Sequence, residues 1–254
     1  MHRRYLAALL LLSGFCGLSY ELIWVRMLSL SFGSTTLSFS TVIAVFLGGL
    51  ALGSWLCGRS PRALASPVKT YAYLELATGV IGLLLYPVLR ALPELFSYVD
   101  PGPGVGGLLM RLFVAILVLL PPTLLMGATL PVACAACIHD DTKLGSGTAT
   151  LYGLNTLGAC LGTYGVTFQL FPTVGLDGAV YVTVALNFVV GAVVLACERA
   201  GVDVVAAPAQ SAPEAPRNEA PNVEATSSVP LVLAFMTGFS AVAACDTPTS
   251  VSRE

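Results

Sequence analysis

The chain has 254 residues, of which 56% are hydrophobic and only 10% charged. Its mean hydropathy of +0.84 is far above that of a soluble domain, where about 25% of residues are charged. A net charge of -2 and a pI near 5.7 leave no basic face for nucleic acid, so nucleic acid is excluded as a partner and the lipid bilayer takes its place.

The first apolar stretch, from Tyr5 to Leu28, is long enough to cross a hydrocarbon core, which takes about 20 helical residues. It follows His2-Arg3-Arg4 as a signal peptide would. However, the apolar run outlasts an h-region and lacks a small-residue cleavage site, and Phe15 before Cys16 does not suit a lipoprotein signal, so it reads as an uncleaved anchor. Inside it lie Glu21 and Arg26. Ser13, Gly17 and Glu21 share one stripe, which places the carboxylate against protein, while Arg26 is near enough to the end to reach the interface. An ionisable group at such depth is either a structural polar anchor or part of a cation or proton path.

A second span, Leu37 to Cys57, carries Gly49 and Gly53 in the spacing that lets helices approach closely, and ends in the basic turn Gly58-Arg59-Ser60-Pro61-Arg62. The third, Thr70 to Leu89, holds Glu75, read either as a second membrane-embedded functional carboxylate or as an interfacial charge paired with Lys69 or Arg59. The glycine-rich stretch from Tyr98 to Gly107 imitates a nucleotide-binding turn. No buried strand precedes it and no acidic residue follows at the required distance, so it reads as a loop.

The fourth span, Leu108 to Ala136, contains Pro121, Pro122 and Pro131 and is expected to kink. The fifth, Gly147 to Phe171, includes Tyr152, Asn155 and the pair Gly158 and Gly162. The sixth, Leu176 to Ala196, includes Asn187. Both asparagines are expected to hydrogen-bond between helices or to contact a ligand. The seven cysteines lie mostly in apolar runs and read as packing residues. Cys134 and Cys137 with His139 lack the second ligand pair of a zinc site, so no metal or other cofactor is expected.

With the N-terminus inside, Arg3, Arg4, Arg59, Arg62, Lys69, Lys143 and Arg199 fall on the cytoplasmic side, against Arg26, Arg90 and Arg111 outside. The expected fold is therefore all-α: a polytopic membrane protein with six transmembrane helices over residues 1–199, in the cell inner (plasma) membrane. Residues 200–229 are rich in Ala, Pro, Glu and Ser and read as a disordered cytoplasmic linker. Residues 230–254 begin with a short apolar segment in which Thr237-Gly-Phe-Ser echoes Ser13-Gly-Phe-Cys. The expectation is a second membrane repeat cut short, in a truncated product.

Four blocks carry a family resemblance: SGFCGLSYELIWVRMLSLSFGSTTLSFSTVIAVFLGGLALGS from Ser13, YAYLEL from Tyr71, MGATLPV from Met126 and LYGLNTLGACLGT from Leu151. They resemble the membrane region of spermidine synthase-like integral membrane proteins, the fused major facilitator/spermidine synthase family. The resemblance implies a facilitator-type half-bundle, completed by a second copy or by a missing C-terminal half. In a full-length protein it also implies an aminopropyltransferase domain, for which residues beyond 199 show neither strand-helix alternation nor a glycine turn. No catalytic residue is assigned. The implied roles are a noncatalytic membrane module or, alternatively, a half-transporter for a cation such as a polyamine, with Glu21, Glu75, Tyr20 and Asn155 as candidate substrate contacts.

Overall fold

The computed structural model describes residues 3–33, 36–59, 64–99, 102, 104–138 and 144–200. The expected linker from Gly201 onward and the repeat-like segment, together with Arg62, His139 and Lys143, lie outside these residues. All elements among the described residues are helical: α1 (Arg3–Phe32), α2 (Thr36–Gly58), α3 (Pro67–Val99), α4 (Val105–Cys137), α5 (Leu144–Gly165), a π-helical turn (Val166–Leu170) and α6 (Phe171–Arg199).

Among the described residues, five stretches are long and apolar enough to cross a membrane: Ala8–Phe32, Thr36–Gly58, Pro67–Val99, Val105–Cys137 and the 53-residue run Gly147–Arg199. Large apolar side chains such as Leu37, Trp55, Leu84, Phe113 and Phe168 point outward. Apolar chains on the outside and polar ones within reverse the pattern of a water-soluble bundle. The chain has the make-up of a multi-pass membrane protein.

The helices run further than the sequence pattern predicts. α3 continues ten residues past Leu89, through Pro93, to Val99. Tertiary burial holds these added turns: Leu89, Leu92 and Phe96 enter the core, and the Phe96 ring lies 5.2 Å from that of Phe32. α4 likewise runs unbroken through its three prolines. α6 begins at Phe171, ahead of the expected Leu176, and is interrupted at Gly175, within the predicted gap. Gly175 has φ 70 and ψ −174, a backbone conformation that side-chain-bearing residues rarely adopt.

The closest helix pairs are α1 with α5, α2 with α4, and α3 with α6. Glycines set two of these contacts. A Cβ at Gly158 or Gly162 would overlap the backbone oxygen of Leu11 or Phe15 on α1, and one at Gly49 or Gly53 would overlap Thr123 or Leu124 on α4. The third pair is antiparallel and tied at both ends by ion pairs, Lys69 to Glu198 at 3.3 Å and Arg90 to Asp177 at 2.7 Å.

Two apolar layers fill the bundle. One gathers Tyr20, Trp24, Leu28, Phe46, Leu119 and Val180. The other gathers Leu10, Tyr71, Val132, Leu151 and Val190. Between them, along each of five helices, lies a polar position: Ser13 on α1, Glu75 on α3, Thr129 on α4, Asn155 on α5 and Asn187 on α6. The bundle therefore holds a polar layer between the two apolar ones.

Candidate functional site

Glu75 is the centre of that layer and is only 2% exposed. Ser13 Oγ donates to its Oε1 at 2.5 Å, and Asn187 Nδ2 donates to its Oε2 at 2.7 Å and to its backbone carbonyl at 3.3 Å. Three helices meet at this side chain. Tyr71, one turn earlier on α3, brings its hydroxyl close enough to interact with Glu75 and Ser13, yet without a hydrogen bond of acceptable geometry.

These partners correct the interfacial reading of Glu75. Lys69 pairs with Glu198 instead, and Arg59 stacks over the Trp55 ring at 3.8 Å. The register of α3 explains the difference: Lys69 lies at the helix start beside the end of α6, while Glu75 is almost two turns deeper, facing Asn187.

A cavity of about 80 Å³ opens beside the carboxylate, with residues from all of α1 to α6 in its wall. It is roomy enough for several waters, since one water needs about 10–15 Å³ on this measure. Glu75, Tyr20 and Asn155 all line it, together with Ser13, Thr78, Thr129 and Asn187. Tyr20 is fully buried, its ring stacked 4.9 Å from Trp24 and its hydroxyl without a partner. Asn155 reaches the wall from α5, where its backbone carbonyl presses on Gly14. Three of the four candidates thus meet in one place.

Glu21 is the fourth, and it is not part of that wall. It is half-buried and forms no hydrogen bond or ion pair with the described residues. Gly17, its neighbour on the stripe, meets no other helix: a Cβ there would find open space. The stripe instead borders the cavity through Ser13 and Gly17.

Thr78 was not evident as a site residue from sequence. It follows Glu75 by three positions, the spacing that puts two side chains on one helical face, and its buried hydroxyl oxygen has no partner. Asn187 Oδ1 is likewise buried and unpartnered. Among the described residues, no Lys, Arg or His lines the cavity. Two hydrogen bonds to a carboxylate, each contributing about 1.5–3 kcal/mol, offset part of its burial cost but supply no counter-charge.

Such an arrangement offers a site for a positive charge: one carboxylate held by neutral donors, additional oxygen acceptors and adjacent space. Comparison with protein-family models, with curated proteins and with solved structures returns no match.

Proposed function

We propose that this chain is an integral membrane module of the spermidine synthase-like kind, which takes a cationic small molecule such as a polyamine into the cavity around Glu75. The observation that carries this reading is the buried carboxylate itself, anchored by Ser13 and Asn187 and facing a cavity that takes no basic side chain from the described residues.

Length supports a six-crossing topology. The run Gly147–Arg199 would extend about 80 Å as a straight helix, more than twice a hydrocarbon core of roughly 30 Å, and Gly175 supplies the break. The α3/α6 ion pairs fit the inward placement of Lys69 and the outward placement of Arg90 in the inner membrane, with a cytoplasmic N-terminus.

A second reading, a facilitator-like half-transporter, is favoured by the contribution of every helix from α1 to α6 to one cavity. Alternating access then requires a second bundle, from another copy or a C-terminal half. Spermidine binding to the purified protein, alongside uptake into vesicles, tests both readings. Binding that is lost in Glu75→Gln supports the site. Equal binding by wild type and Glu75→Gln overturns it, and binding without uptake favours the module over the transporter.

A further inference from the structure

We infer that the Glu75 cavity binds a single monovalent alkali-metal cation, held by the Glu75 carboxylate, Asn187 Oδ1 and Thr78 Oγ1, with water in the cavity completing its shell. The inference deepens the reading of the cavity as a cation site and rests on it.

Asn187 and Thr78 are each 2% exposed, and each presents an oxygen that accepts no hydrogen bond. Leaving buried polar groups unpaired costs about 1–3 kcal/mol apiece, so two beside one carboxylate call for an explanation. A proton on Glu75 satisfies at most one of them. A bound cation draws on both, and at the same time neutralises a carboxylate that has no basic neighbour in the cavity wall.

The donor set also selects the ion. It is made of oxygens, which suits hard cations rather than the soft metals that thiolates attract. Cys16, at the wall, turns its thiol toward the Thr183 carbonyl at 3.8 Å. No group of three His, Cys, Asp or Glu capable of holding a metal occurs among the described residues. A single carboxylate balances one positive charge, whereas a divalent ion would leave one unit uncompensated inside an apolar bundle.

The test is thermal unfolding of the purified full chain in detergent, titrated with NaCl and KCl, with choline chloride as the ionic-strength control and spermidine in a parallel series. Saturable stabilisation by an alkali chloride beyond that of choline chloride is expected, abolished in Glu75→Gln and shifted to about tenfold higher salt in Thr78→Val. Thr78→Val preserves both volume and the carboxylate, so it reports even if Glu75→Gln fails to fold. Equal responses to alkali and choline chloride overturn the inference. If spermidine still stabilises the wild type and not Glu75→Gln, only the alkali-ion assignment falls; if neither ligand stabilises, the cation reading falls with it.

Discussion

Asn187 grips Glu75 twice across 112 positions of sequence, through the carboxylate and through the backbone carbonyl of the same residue. The amide therefore fixes the height of α6 against α3 as well as the direction of the acid. Replacing it with Leu removes one of the two hydrogen bonds to the carboxylate and leaves the charge buried. Asn187→Leu is expected to lower stability by about 3 kcal/mol, and the double variant Asn187→Leu/Glu75→Leu to recover most of the loss. Unfolding of both in detergent, scored as a double-mutant cycle, checks this.

Ser13 supplies the other hydrogen bond to the carboxylate. Ser13→Ala, which preserves the contact of α1 with its neighbours, is expected to cost about 1.5–3 kcal/mol, as for a hydrogen bond to a charged group. In a Glu75→Gln background the same change is expected to cost less, because the remaining partner is neutral.

Glu21 has no such partner among the described residues, and the expectation is the reverse. Glu21→Gln removes a half-buried charge without breaking any bond, so stability is unchanged or increased, and spermidine binding is unchanged. A destabilised Glu21→Gln protein would show that the carboxylate has a partner elsewhere.

The glycine contacts are directional. Gly158→Ala drives a methyl into the Leu11 carbonyl, a backbone atom that cannot rotate away, whereas a Cβ at Gly153 on the same helix meets nothing within 4 Å. We expect Gly158→Ala to cost about 1–3 kcal/mol and Gly153→Ala to be neutral. Melting temperatures of the two alanine variants, measured side by side, provide the comparison.

At Gly175 the open space around the residue makes conformation the deciding factor. At φ 70 and ψ −174 the residue lies outside the left-handed helical well that Asn tolerates, and a side chain there costs about 1–3 kcal/mol, so Gly175→Ala and Gly175→Asn are both expected to be destabilising. Denaturation midpoints of the two variants, set against the wild type, check this.

Much of this arrangement was legible in the sequence because hydrophobic length is a local property. Apolar runs marked the helices, and Glu75 stood out as an ionisable residue within one. Its partners did not, because Ser13 lies 62 positions before it and Asn187 112 positions after, and only packing brings them together. Lys69, near in sequence, was a misleading choice of partner: it lies almost two turns away along the helix, beside Glu198. Asp177 escaped notice because its role depends on Arg90, on a different helix. The ends of α3 were misjudged for a similar reason, since Pro93 signals termination locally while the burial of Phe96 favours continuation.

None of the three closest helix pairs joins neighbours in the chain: α1 meets α5, α2 meets α4, and α3 meets α6. On a ribosome, which releases a chain from its N-terminus onward, α3 emerges with its acid long before the amide that secures it has been made. Assembly thus has to shelter an incomplete intermediate until α6 arrives, and chains halted before residue 187 are expected to be prime substrates for membrane quality control.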